Sequence, residues 1–450
     1  MTLWGGRFGA APHEALWAFT ADTSDRRLLV DDVTGSLAHV AMLGEVGLLA
    51  TDEVASLTSG LETIADEAHA GAFVFLDGDE DVHTAVERRL GELVGAVAGK
   101  LHTGRSRSDQ VALDLRLYLR RSGRDRVAQL ERMAGALVDA AERAGDAIAA
   151  AYTHLQQAQA IPLAHHLVAY VWMLLRDIDR FQDALVRIDV SPLGAGASGG
   201  SSLPLDPAIV AERLGMQAVF ANSLDAVGSR DFVAEYAFCC AQAMAHLSRL
   251  SEELVLWATT EFGWATYDDA HTTGSSALPH KKNPDIAELA RGKTATVIGD
   301  VAALLALQKG LPLAYNRDLQ EDKRAVFHAD DTLGLALEAL TGMIATAELH
   351  PPDPSPWVTT LDLAEALVGR GAPFREAHHV VGALVAHLVA AGRTLADLTA
   401  AELVAADRRF EPSDLERTDP AVSVAGRRSP GGGSWRSVAD QIAELRTRLG

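Results

Sequence analysis

Twelve residues, Gly274 to Asp285, read G-S-S-A-L-P-H-K-K-N-P-D. Two hydroxyls, Ser275 and Ser276, stand beside a glycine. Pro279 and Pro284 interrupt any regular structure, and between them lie Lys281, Lys282 and Asn283. So polar and punctuated a run is a loop. It concentrates the groups needed to hold a proton-abstracting oxygen beside donors for a negatively charged intermediate. A second constellation is H-T-G-R-S-R-S-D-Q at His102–Gln110. Arg105 and Arg107, two residues apart in a turn before a helical pattern, suit bidentate capture of carboxylates. The same turn reads equally well as a helix cap, with Ser108 or Asp109 as the capping residue. Thr153-His154-Leu155-Gln156 lies between two helical patterns, and Asp81-Val82-His83 precedes another. Histidines are common in this chain, so His154 and His83 taken singly read as structural or exposed. The last constellation, Gly310–Lys323, reads G-L-P-L-A-Y-N-R-D-L-Q-E-D-K. It is either a solvated interhelical loop or a surface for a zwitterionic substrate.

These segments need a scaffold, and the sequence points to long helices. Asp231–Phe262 contains neither glycine nor proline. As a helix it would span about 48 Å at about 1.5 Å per residue. Val233, Tyr236, Cys240, Met244, Leu247, Leu250, Leu254 and Trp257 recur at three- and four-residue steps, which defines one face. Leu163–Ser191, Asp109–Arg121, Arg124–Ala151, Asp285–Gln308 and Lys323–Ala347 are further helical candidates. With few strand signals, they predict an all-α protein built on an elongated bundle. The P-P-D-P-S-P run at Pro351–Pro356 marks a boundary, and a Gly-rich turn follows at Gly431–Gly433. The predicted domains are 1–105, 106–350 and 351–450.

Composition narrows the class. The chain has 450 residues and is 48% hydrophobic, which is globular and large enough for about three domains. A formal charge of −21 disfavours nucleic acid and anionic membranes as partners. The two cysteines, Cys239 and Cys240, are adjacent and read as core residues of a helix, not as a disulfide. The N-terminal M-T-L-W-G-G-R-F lacks a signal-peptide pattern, and no run of about 20 apolar residues appears. A cytoplasmic location is the expectation.

Two familiar motifs fail on context. Gly194–Gly199 fits G-x-G-x-x-G, but a helical pattern precedes it where a dinucleotide site needs a strand. Gly292-Lys293-Thr294 resembles the end of a P-loop, but Ala287 stands where the upstream glycine is required. H-E-x-x-H and C-x-x-C spacings are absent, so no metal site is expected.

Together the constellations resemble the fumarase/aspartase superfamily and, within it, the argininosuccinate lyase family. The Gly274 loop is similar to that superfamily's G-S-S-x-M-P-x-K-x-N. W-G-G-R-F (Trp4–Phe8), H-T-G-R-S-R (His102–Arg107), T-H-L-Q (Thr153–Gln156) and S-P-L-G-A-G (Ser191–Gly196) agree with the narrower family. So do N-S-L-D-A-V (Asn222–Val227), L-P-L-A-Y-N-R-D-L-Q-E-D-K (Leu311–Lys323) and P-F-R-E-A-H (Pro373–His378). The resemblance covers nearly the whole chain in order.

The resemblance implies a three-domain, all-α homotetramer whose central domains form a helical bundle, with each active site built by three subunits. It implies reversible β-elimination of argininosuccinate to arginine and fumarate through an aci-carboxylate, without metal or organic cofactor. By the same resemblance Ser275 is the base and Ser276 the weaker candidate. A serine hydroxyl needs its alkoxide stabilised, so loop backbone donors and Lys281 are assigned that task. Lys281 and Asn283 would hold the carboxylate where charge develops. His154 would protonate the departing nitrogen, with Glu288 orienting it. Thr153, Arg105, Arg107, Ser108, Tyr315, Gln320, Lys323 and His83 complete the expected substrate contacts. Five positions depart from the family pattern: Ser108 for Asn, Ser229 for Asp, Leu278 for Met, His280 for Gln, and His271 for an aromatic residue. They leave the elimination machinery intact and bear on the leaving amine. The alternatives are a fumarate-releasing lyase acting on a different N-substituted succinate, and a structural homologue without activity.

Overall fold

The computed structural model describes residues 13–21 and 23–450, so the Trp4–Phe8 motif lies outside the described residues. The protein is predominantly helical. The helices that matter for the site are α1 (Leu29–Glu45), α2 (Val82–Val94), α3 (Arg107–Arg143), α4 (Leu163–Ile188), α5 (Asp231–Trp257), α6 (Asp285–Gln308) and α7 (Asp322–Thr346). The chain forms two compact units. One comprises the described residues up to Val127 with Arg180–Ala241 and Thr296–Thr332; the other comprises Ala128–Asp179, Gln242–Ala295 and Leu333–Gly450. Each unit holds part of every helix from α3 to α7.

The predicted face of α5 is its core face: Val233, Tyr236, Cys240, Met244, Leu247, Leu250, Leu254 and Trp257 are all buried. Cys239 and Cys240 are free, buried thiols. α5 ends at Trp257, five residues before Phe262. Thr259 Oγ1 donates to the Leu256 carbonyl at 2.7 Å and accepts from Phe262 N at 3.2 Å, while Gly263 at φ 62° completes the reversal. That hydroxyl offers the backbone a turn in place of another helical residue. Trp264 then stacks on Trp257, with ring centroids 5.6 Å apart.

Two expectations about α3 are corrected. The segments 109–121 and 124–151 form one helix that passes through Gly123 and stops at Arg143. Gly123 is a packing choice there: a Cβ would lie 2.9 Å from Leu185 Cδ2. Beyond Arg143, the alanine-rich stretch read as helix is strand β1 (Ile148–Thr153), paired antiparallel with β2 (Gln156–Pro162). Ala150 and Ala160 are buried and pack with Val358 and Val424, so tertiary contact overrides alanine's helical propensity. The remaining strands are two-residue ladders. One of them, β3 (Thr273–Gly274) with β4 (Lys282–Asn283), closes the base of the Gly274 loop.

The proline run 351–356 lies outside helix and strand, as expected. After it, the helices Thr360–Gly369 and Phe374–Ala390 pack around Leu363, Leu367, Leu384, Leu388 and Leu403.

Candidate active site

Three helix starts furnish one cavity of about 370 Å³, lined by Asp25, Glu80, Asp81, His83, Arg107, Val111, Tyr315, Arg317, Gln320 and Lys323. Asp81 caps α2, accepting from Thr84 N and Oγ1 at 2.7 Å each, and this cap fixes His83 in the first turn. Arg107 opens α3, pairs with Asp81 and donates to Thr84 Oγ1 at 3.3 Å. Lys323 lies in the first turn of α7, 4% exposed, with Nζ 3.3 Å from both the Gln320 carbonyl and Asp322. Asp322 in turn meets the fully buried Arg230 at 2.5 Å. At the rim, the Thr20 carbonyl accepts from Arg317 at 2.9 Å and from Gln320 at 3.1 Å.

The cavity mixes both signs of charge, which suits a substrate carrying carboxylates and a cation. Burial pushes the Asp25 carboxyl up to about 6, against the lowering effect of His83's charge and with Asp81 adding to the rise. For Asp81, burial acts to raise the pKa, but the charges of His83 and Arg107 and the Thr84 bonds carry it below the ordinary carboxylate value. Burial raises the Tyr315 phenol, so it remains a hydrogen-bond donor.

The arginine segment divides. Arg107 reaches the cavity, whereas Arg105 turns inward, is buried and donates to Ser36 Oγ at 2.9 Å. Ser108 is half-buried and lies outside the cavity lining. Neither Ser108 nor Asp109 is the helix cap. Ser106 takes that role: its Oγ accepts from Ser108 N at 3.3 Å, and its own N–H donates to Asp109 Oδ1 at 2.9 Å. This reciprocal arrangement leaves Asp109 Oδ2 free to accept from Gly194 N at 3.1 Å and Gly196 N at 2.8 Å. The G-x-G-x-x-G segment therefore spends its amide donors on an internal carboxylate. Its first glycine is required: Gly194 sits at φ 106°, and a Cβ there would come within 2.7 Å of Pro207.

The other predicted residues lie in the second unit, on exposed segments. Thr153 ends β1, and His154 opens the turn between β1 and β2. His154 and Leu155 both adopt left-handed backbone, φ 55° and 56°, as a two-residue hairpin turn requires. Leu155 is 73% exposed. In the Gly274 loop, Ser275 Oγ accepts from Ala277 N at 3.3 Å and Leu278 N at 3.1 Å. Ser276 is exposed and receives no such pair among the described residues. The two lysines also separate: Lys282 Nζ is 2.8 Å from both the Tyr267 carbonyl and Asp269, while Lys281 is exposed and makes no side-chain bond among the described residues. Asn283 pairs with Thr273 across β3 and β4, and Glu288 is exposed on the first turn of α6.

Two of the departing positions have structural contexts. His271 bonds Asp268 at 2.7 Å and packs so tightly on Gly342 that a Cβ there would lie 2.4 Å from its Nε2. Ser229 ends the Ser223–Gly228 helix, and its carbonyl accepts from Arg230 at 2.8 Å.

Sequence reasoning missed Asp25, Glu80, Asp81 and Val111 as cavity residues, while Arg317 lies in the Gly310–Lys323 segment for which a substrate surface was one of the two readings. A cluster of acids immediately before a helical pattern was the available signal for Glu80 and Asp81; Asp25 carried none. Among the described residues, the one group with metal-ligand chemistry is Asp32, His83 and Asp114, all buried.

The chain is similar to known lyases. A lyase family model matches residues 6–299, and a model of the argininosuccinate lyase C-terminal region matches residues 357–425. Argininosuccinate lyase of Frankia casuarinae is 49% identical, covering 100% of this chain and 98% of its own. That of Symbiobacterium thermophilum is 46% identical, covering 98% and 97%. Among solved structures, EDDS lyase in complex with formate has a TM-score of 0.83 at 28% identity, covering 96% of this chain and 88% of that one. Class II fumarase of Schistosoma mansoni, at 15% identity and TM-score 0.76 over 91% and 96% of the two chains, shares the fold. With relatives this similar along its full length and the cavity and loop motifs in place, the chain belongs to the argininosuccinate lyase family.

Proposed function

We propose that this protein is a carbon–nitrogen lyase that splits argininosuccinate reversibly into arginine and fumarate, in arginine biosynthesis in the cytoplasm. The observation that carries the reaction type is the pair of backbone N–H groups aimed at Ser275 Oγ. Such donors favour the alkoxide over the hydroxyl, which a serine base requires. The base removes the proton from the carbon next to a succinyl carboxylate. The electron pair passes into that carboxylate as an aci-carboxylate dianion, held by Lys281 and Asn283, then returns to expel the nitrogen. His154 gives the leaving nitrogen its proton, and Glu288 orients the imidazole. Arg107, Tyr315, Gln320, Lys323 and His83 bind the substrate, with Thr153 at the hairpin turn. Arg105, buried against Ser36, and Ser108 both lie outside the cavity lining.

We propose further that the working form is a homotetramer whose sites each draw on three subunits. α6 supports this reading: it buries a narrow stripe of Ala287, Ala290, Thr294, Val297 and Leu304, yet leaves Leu289, Ile298 and Leu305 exposed by 53–59%. A helix so apolar outside its buried stripe is suited to burial against other copies of itself. The domain boundaries near residues 105 and 350 belong to the same reading.

Purified protein mixed with argininosuccinate should release fumarate, followed by its ultraviolet absorbance, together with equimolar arginine. Absence of product above background would remove the proposal. A second reading, a lyase for another N-substituted succinate, is favoured by Ser108 and by the likeness to EDDS lyase. Comparing kcat/KM across substituted succinates decides between the two.

A further inference from the structure

A second cavity, of about 700 Å³, lies wholly within the first unit and shares no lining residue with the one around His83. Arg116 of α3 lines it, together with residues from the end of α4, from the paired strands Val190–Ser191 and Ala218–Val219, and from the start of α5. Arg116 is 7% exposed. Its Nη1 donates to the Arg187 and Ile188 carbonyls at 3.0 and 3.1 Å, and its Cζ lies 4.0 Å from the centre of the Phe232 ring. Nε is buried without a hydrogen-bond partner, and Nη2 makes no hydrogen bond among the described residues. No carboxylate pairs with this guanidinium among the described residues. Burial pushes it down to about 10, with the Arg230 charge adding to the fall and Asp231 and Asp225 opposing it, so it is a cation at neutral pH. A buried charge held by carbonyls alone is left uncompensated.

The other charged groups of the cavity differ in what they have free. Arg187 is spent on Glu235, with Nε 2.7 Å from Oε2. Asp225 is exposed, and its carboxylate accepts no hydrogen bond among the described residues. Asp231 accepts only from Phe232 N, at 2.9 Å. The rest of the lining is apolar and includes Val186, Val190, Val219, Phe220 and Phe232, with Val186 58% exposed. This lining asks for three things at once: an anion for Arg116, a cation for the two aspartates, and an apolar body for the wall. An inorganic anion meets only the first demand, and the aspartates would repel it.

We propose that this cavity binds a free α-amino acid with an apolar side chain, its carboxylate on Arg116, its ammonium on Asp225 and Asp231, and its side chain against Val186, Val190 and Phe220. Nε and Nη2 are the two donors that Arg116 leaves open, and a carboxylate takes such a pair side by side. Ser229 lines the same cavity at a position where the family pattern has Asp. A serine there leaves the guanidinium open to a ligand, whereas an aspartate would put a competing carboxylate into the cavity. The site does not depend on the elimination reaction.

Titration calorimetry of the full-length protein with L-leucine, L-valine and L-phenylalanine tests the proposal. At least one of them should bind, with one site per chain. The amide of the amino acid that binds lacks the carboxylate, and the matching deaminated acid lacks the ammonium. Each should bind at least about tenfold more weakly. Ser229→Asp should remove the binding, because its carboxylate takes the guanidinium. Arg116→Gln should remove it as well; if that variant does not fold, Ser229→Asp and the two analogues decide. No binding of any of the three amino acids at about 10 mM would overturn the proposal. So would an analogue or inorganic phosphate that binds as tightly as the amino acid, or unchanged affinity in Ser229→Asp.

Discussion

Ser275 and Ser276 are chemically identical in the sequence and differ only in what surrounds them. Two amides point at Ser275 Oγ, and Ser276 has no such pair among the described residues. Lys281 and Lys282 separate in the same way, because Lys282 is tied to Tyr267 and Asp269. Ser275→Ala should therefore lower kcat by about 10²–10⁴ with little change in KM, whereas Ser276→Ala should retain most of the turnover. Steady-state rates of fumarate release measure both, and unaltered turnover in Ser275→Ala would discard the assignment of the base. At this scale the residue types were legible, since loop composition alone placed hydroxyl, ammonium and amide groups together. Which hydroxyl and which ammonium were available depended on hydrogen bonds that the string of residues does not display.

At the scale of elements, helix starts and the loops before them do the positioning. The Gly310–Lys323 segment is held from beneath by Arg230, whose guanidinium meets Asp322 at 2.5 Å with both side chains fully buried. Gly228 closes the same contact, since a Cβ there would lie 2.7 Å from the Ala314 carbonyl oxygen. Removing one partner of a buried pair leaves an uncompensated charge, so Arg230→Ala should cost about 3–5 kcal/mol. The loss should appear as a lower urea midpoint at fixed protein concentration, with a raised KM because Lys323 adjoins Asp322. A variant with wild-type midpoint and KM would show that the pair does not hold the loop. The long helices were readable because their apolar period is unbroken over many turns, as on α5. The β1–β2 hairpin was not: Ile148–Thr153 is rich in alanine, and only its packing against Val358 and Val424 makes it a strand.

At the scale of the whole molecule, the exposed apolar side chains of α6 and the assignment of sites to several subunits make one prediction. Ile298, 53% exposed, is the place to test it. Ile298→Glu would put a charge into a surface proposed to be buried between copies. Light scattering should then show a mass below that of the tetramer, and turnover per chain should fall with it. A tetramer with full activity would contradict the shared-site assembly.

The sequence by itself determined the helical scaffold, the reaction type and the family. Those rest on period, on the ordered motifs from His102 to His378, and on the chemical types gathered in the Gly274 loop. Only the tertiary structure decided which of those groups have free capacity. It turned Arg105 inward and Arg107 toward the cavity, spent the Gly194 and Gly196 amides on Asp109, and brought Asp25 and Asp81 to the site. The physical reason is that period and composition are local properties. Burial, hydrogen-bond satisfaction and charge pairing depend on segments far apart in the chain, as with the paired Arg230 and Asp322, or His83 and Lys323, which line one cavity.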